Sequence, residues 1–168
     1  MSAVPQQLQR LADHVGGAVT LAPEAMAREV KSALHAATVE SGWLPPERRR
    51  ASHENYARHL IYADPQGRFS ILALVWDRAQ MSPIHGHHCW CAVGVYRGML
   101  TETCYREAKA GEPPVEIGSA RHPVGASTFD AGSGIHRLAN VSGVLAVSLH
   151  VYGVAADRVA TGVNRVYL

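Results

Sequence analysis

Cysteine is scarce in this chain, and its count is odd. Cys89, Cys91 and Cys104 are the only three, gathered in one short stretch, and three neighbouring thiols do not make a disulfide framework. Their reason for being there is packing or chemistry. Charge of one sign is also missing. Sixteen Lys and Arg stand against 14 Asp and Glu, for a formal net charge of +2. That balance is too mild to imply nucleic acid, no basic stripe interleaved with aromatics is present, and no nucleic-acid partner is expected. The one basic run, Arg48-Arg49-Arg50, reads as a solvated helix end. No apolar stretch is long enough to span a bilayer, and the polar start has no apolar signal core, so the expectation is a cytoplasmic chain with no membrane partner. Internal repeats and low-complexity segments are lacking. So is a Gly-x-Ser-x-Gly elbow, which argues against a hydrolase.

With 168 residues, the chain suits a single domain with one substantial core. Residues 1–55 read as a helical segment. Leu8, Leu11, Ala12 and Val15 recur at helical spacing until Gly16-Gly17 stops the pattern. Pro23 opens a second helix lined by Met26, Val30, Leu34 and Ala37, and Pro45-Pro46 ends it before a short helix running through Arg50. Residues 56–168 read as a β-barrel. Strands are expected at 56–62, 69–76, 83–96, 100–106, 115–121, 127–129, 135–140, 144–152 and 158–167, punctuated by turn signals such as Asp64-Pro65-Gln66-Gly67. The fold class is therefore mainly β, a sandwich or barrel with the N-terminal helices packed outside.

The densest chemistry lies in Ser82-Pro-Ile-His-Gly-His-His-Cys-Trp-Cys91. Side chains alternate on a strand, so His85 and His87 share a face and both can reach one metal ion, with His88 opposed. On a regular strand Cys89 and Cys91 would share the parity of the histidine pair. His136, following the Gly-rich turn Asp130-Ala-Gly-Ser-Gly134, is the best third ligand. Cys89 and Cys104 read as packing residues, and His88 and Trp90 as facing away from the metal.

The spacing resembles the two motifs of the cupin superfamily. His85-x-His87 is followed, after a short gap, by Cys91 and then, after six intervening residues, by Gly98; His136-x-x-x-Asn140 matches the second motif. Cys91 occupies the place where many cupins keep a metal-binding Glu. That replacement, with Ser148-Leu-His150-Val-Tyr152 and Tyr56-Ala-Arg58, resembles the thiol dioxygenases, a cupin branch including cysteine dioxygenase and its bacterial relatives. The resemblance implies a jelly-roll-like cupin barrel and an oxidoreductase holding non-haem Fe(II) on His85, His87 and His136. It implies small-thiol and O2 partners, with both oxygen atoms ending on sulfur as a sulfinate. Arg58, beside Tyr56, would clamp a substrate carboxylate. Tyr152 would place its hydroxyl near the reacting groups, oriented by His150 and Ser148. Cys91 would be either thioether-linked to Tyr152, as in the animal-type enzymes, or a free buried thiol. Three neutral imidazoles leave the metal its full charge, which favours an anionic thiolate.

After Tyr152 the animal-type Ser-Pro-Pro turn is replaced by Gly153-Val154-Ala155, an ending more like bacterial enzymes acting on 3-mercaptopropionate, although those usually lack an Arg at the position of Arg58. The expected substrate is cysteine ahead of 3-mercaptopropionate, with a mercaptosuccinate-like diacid as a third choice. Two other classes stay open. One is a different metal cupin, an isomerase or a quercetinase-like dioxygenase. The other is a non-enzymatic cupin that binds a metal or small ligand. A monomer or homodimer is expected.

Overall fold

The computed structural model describes residues 4–167. Two antiparallel sheets of five strands face one another. The first has the order β1-β2-β9-β4-β7, built from β1 (Ala57–Ala63), β2 (Ser70–Trp76), β4 (Cys91–Arg97), β7 (Ser127–Asp130) and β9 (Ala146–Tyr152). The second has the order β10-β3-β8-β5-β6, from β3 (His85–His87), β5 (Met99–Arg106), β6 (Val115–Pro123), β8 (Ile135–Ala139) and β10 (Asn164–Val166).

Period-two alternation sorts the first sheet into two apolar faces. Ile71, Ala73 and Val75 on β2, with Val147, Leu149 and Val151 on β9, join a core completed by Leu11 and Val15 of α1 (Gln6–Ala18) and Val30 and Leu34 of α2 (Pro23–Val39). Leu72, Leu74 and Trp76, with Val93 and Val95 of β4, point the other way and meet Leu100 and Leu138 of the second sheet. Both faces of β2 and β9 are therefore buried, because helices cover the outside while the opposite sheet covers the inside. The expected mainly-β barrel with external helices is the fold observed. Among the described residues no helix is long and apolar enough to cross a membrane.

Three local expectations are corrected. α1 runs through Gly16-Gly17 to Ala18; Gly16 leaves room for the Arg68 guanidinium, 3.4 Å from where a Cβ would stand. The single strand expected over 83–96 is two, β3 and β4, in different sheets, because the chain leaves one sheet at His88 and enters the other at Cys91. The strand expected over 158–167 is a short helix, α3 (Val159–Gly162), followed by β10. Val159 and Val163, four residues apart, both reach the inner core, a helical spacing.

Two motif residues hold this frame. Gly98 turns between β4 and β5 at φ +72, where a Cβ would sit 2.9 Å from the Leu145 carbonyl oxygen. Asn140 is buried and donates to the carbonyls of Trp76 at 2.9 Å and Val144 at 2.7 Å, tying the end of β8 to the first sheet.

Candidate metal centre

His85 and His136 are direct partners across β3 and β8, and His87 lies two residues along on the same face. One ring nitrogen from each of the three buried imidazoles falls within 4.8 Å of the others. In every case Nδ1 is tied back to an acceptor: His85 to the Pro83 carbonyl at 3.0 Å, His87 to Asp130 Oδ2 at 3.2 Å, His136 to Glu102 Oε1 at 2.5 Å. Carbonyl and carboxylate oxygens only accept, so each Nδ1 carries the proton. That leaves Nε2 of each ring as the nitrogen available to a metal. The donor set and the fixed tautomers fit a cation that takes nitrogen ligands.

Burial keeps His85 in the metal-binding form. His85 is held down to about 4, chiefly because burial disfavours imidazolium, with His136 adding to the effect. Burial would raise the Glu102 carboxyl, but hydrogen bonds from His122 and His136 outweigh it and hold the group at about 2. Asp130 also sits at about 2; the bond from His87 leads, burial opposes it, and the Gly134 and Gly132 amides add to the lowering. The two carboxylates thus stay ionised one residue behind the ligand nitrogens, touching the far side of two rings. Sequence reasoning missed both. Asp130 carries the signal of a side chain capping its own turn, since it accepts the Gly134 amide at 3.0 Å. Glu102 carries a parity signal, sharing a strand face with buried Leu100. Replacing Glu102 with Gln should loosen metal binding by about 10- to 100-fold, read by competition with a chelator. Unchanged affinity would remove Glu102 from the site.

On the facing sheet, Ser148, His150 and Tyr152 share the inner face of β9, as alternation requires. Their hydrogen-bonded row has a direction. Trp76 Nε1–H, which can only donate, gives its proton to Ser148 Oγ at 2.9 Å. Ser148 then donates to His150 Nε2 at 2.8 Å. His150 must carry its proton on Nδ1, which meets the Tyr152 hydroxyl oxygen at 3.1 Å, leaving the Tyr152 proton free for the cavity. Full burial drives His150 well below its usual range and Tyr152 well above its own, so both stay neutral. Trp76 was not singled out by the sequence; it also stacks on Tyr56 at 4.3 Å.

Tyr56, Arg58, His150 and Tyr152 line one cavity with the three metal-site histidines. Arg58 is exposed at its mouth on the edge strand β1. Among the described residues it has no carboxylate partner. Cys91 and Tyr152 are register partners across β4 and β9, a placement that suits a thioether or a packed free thiol equally. Burial raises the Cys91 thiol well above its usual range. His88 is exposed, and Trp90 stacks on Phe129 at 5.7 Å on the helix side of the sheet, so neither faces the histidines. Cys89 packs half-buried against the inner core. Cys104 departs from the packing role expected for it: it is exposed, in a wider opening of about 360 Å³ that reaches His87 and His136 past Tyr105 and Ile117.

The family model for cysteine dioxygenase type I matches residues 28–161, most of the chain. Among solved structures, a Cupin 2 conserved barrel domain protein from Salinispora arenicola aligns with TM-score 0.50 and 18% identity, over 73% of this chain and 98% of that one. A conserved protein with a double-stranded β-helix domain from Klebsiella pneumoniae aligns with TM-score 0.50 and 14% identity, over 66% and 86%. At these identities the structural likenesses establish the cupin fold alone.

Proposed function

Because this chain belongs to the cysteine dioxygenase type I family, we propose that it is a non-haem Fe(II) thiol dioxygenase, adding both atoms of O2 to the sulfur of a small carboxylate-bearing thiol. The observation that carries the reading is the set of three imidazoles converging in a cavity whose opposite wall presents Arg58 and the Tyr152 hydroxyl. His85, His87 and His136 would hold the ferrous ion, which would supply positive charge favouring the thiolate form of the substrate and the redox chemistry of the reaction with dioxygen. Thiol plus dioxygen balances to the sulfinic acid, so no outside reductant is needed.

The chain's own groups divide the remaining work. Arg58, without a carboxylate partner among the described residues, offers a planar fork to a carboxylate and so sets which end of the thiol faces outward. Tyr56, held against Trp76, closes the wall beside it. The directed row from Trp76 to Tyr152 keeps one phenol proton pointing into the cavity, where it can hydrogen-bond to oxygen or sulfur as charge develops. Cys91 in the place of the carboxylate seen in many cupins supports this reading over other metal-dependent cupins, since the histidines keep the metal's full charge. The hydroxyl row supports an enzyme over a passive binding module.

The test is anaerobic loading with Fe(II), then oxygen uptake against L-cysteine, 3-mercaptopropionate, mercaptosuccinate and cysteamine, with mass analysis of the product. The expected result is uptake with a thiol acid and a product heavier by two oxygen atoms. Disulfide as the sole product, or no uptake with any of the four, would end the proposal.

A further inference from the structure

Asn164 carries a side chain that the reaction outlined above does not use. It opens β10 and pairs in register with His87, and register partners project to the same face of a sheet. Its carboxamide thus stands beside a metal-site imidazole and lines the cavity that also holds Arg58 and Tyr152. Asn164 Oδ1 is buried and has no hydrogen-bond partner among the described residues. Folded proteins leave few such acceptors, and one on a cavity wall points to a donor on the ligand.

Several other polar groups of that wall are engaged, whereas the Arg58 guanidinium and the Tyr56 and Tyr152 hydroxyl protons are left for a ligand. Ser82 Oγ donates to the Pro83 carbonyl at 2.9 Å and receives the Leu138 amide at 3.1 Å. Both ring nitrogens of His150 are taken by Ser148 and Tyr152. Glu102 and Asp130 are turned to the far sides of the histidines. A carboxylate held by Arg58 and a thiolate are both acceptors and give Asn164 Oδ1 nothing. An amino group on the substrate carbon chain supplies the missing N–H.

We propose that Asn164 is a specificity-determining residue that accepts a hydrogen bond from the substrate's amino group, so that the cavity selects a 2-amino thiol acid over its deaminated analogue. The proposal rests on the thiol-acid reading of this cavity. A site built to pair with a substrate N–H rejects the analogue without it more strongly than an apolar pocket rejects a missing methylene. Asn164 therefore decides between the two leading substrates, which the mixed motifs around Arg58 and Gly153 do not.

The test reads binding without turnover. The Fe(II)-loaded protein is titrated anaerobically with L-cysteine and with 3-mercaptopropionate in a calorimeter, for the wild type, Asn164→Leu and Asn164→Asp. Asn164→Leu should weaken L-cysteine by roughly 10- to 100-fold, the range for a hydrogen bond to a charged or polarised group, and leave 3-mercaptopropionate nearly unchanged. Asn164→Asp keeps the acceptor and removes the amide donor, so it should retain L-cysteine and weaken the anionic analogue. Equal losses on both ligands in Asn164→Leu would reveal a merely structural role and overturn the proposal. So would loss of L-cysteine in Asn164→Asp, which would make the amide a donor. If the leucine variant does not fold, the aspartate variant alone decides. A wild type that binds in the expected pattern but consumes no dioxygen would defeat the dioxygenase reading while leaving the role of Asn164 standing.

Discussion

His136→Ala will leave a folded chain that no longer retains a metal and no longer consumes oxygen with any thiol. His85 and His87 both lie on β3, a strand of three residues, whereas His136 comes from β8 beside it. Without it, two nitrogens from one short strand face an otherwise open coordination sphere. Changing a group that merely supports a ligand costs about 10- to 100-fold in affinity, and losing the ligand itself should exceed the upper end of that range. Metal analysis after desalting checks the first half of the expectation and an oxygen electrode the second. The matched control is His88→Ala. That ring is exposed and turned away, so its removal should change neither quantity. Full metal retention by His136→Ala would move the third ligand elsewhere and remove the basis of the site.

Arg58→Ala should separate substrates by their charge. Arg58 has no carboxylate partner among the described residues, so removing it breaks no ion pair there but takes a planar cation from the cavity mouth. A charge-assisted hydrogen bond contributes about 1.5–3 kcal/mol, and the exposure of Arg58 places the effect toward the lower part of that range. The expected loss in kcat/KM is therefore roughly 10- to 100-fold for L-cysteine and 3-mercaptopropionate, carried mainly by KM. Cysteamine, which has no carboxylate, should be nearly untouched. Equal losses on all three would relieve Arg58 of substrate binding. Arg58→Lys should recover only part of the loss, because an ammonium cannot copy the two-pronged contact.

Much of the fold was legible because β2 and β9 are regular. Where a strand keeps its period for seven residues, Ser148, His150 and Tyr152 must share a face, and they do. The break between His87 and Cys91 was not legible, because polar and apolar residues alternate plausibly through it and only the partner strands reveal that the chain changes sheets. The C-terminal segment misled for the opposite reason. Its β-branched residues favour a strand, but tertiary packing of Val159 and Val163 against the inner core overrides propensity. At the metal centre the three histidines announce themselves by spacing. Glu102, Asp130 and Trp76 act through another residue and are distant in sequence from the groups they position, and Asn164 becomes visible only once β10 is laid against β3.

All three imidazoles sit on the sheet of β3 and β8, while Arg58, His150 and Tyr152 sit on the sheet of β1 and β9. The barrel therefore works as a caliper with one jaw per sheet. A molecule held at the metal by its sulfur and at Arg58 by its carboxylate must bridge the gap between jaws, and packed sheets keep a nearly fixed separation. That separation is set by the apolar side chains between them, Leu72, Val95 and Leu100 among them, none of which need touch the molecule being gauged. On the proposed reading, the length of thiol acid admitted would be set by that packing as well as by the residues that grip it.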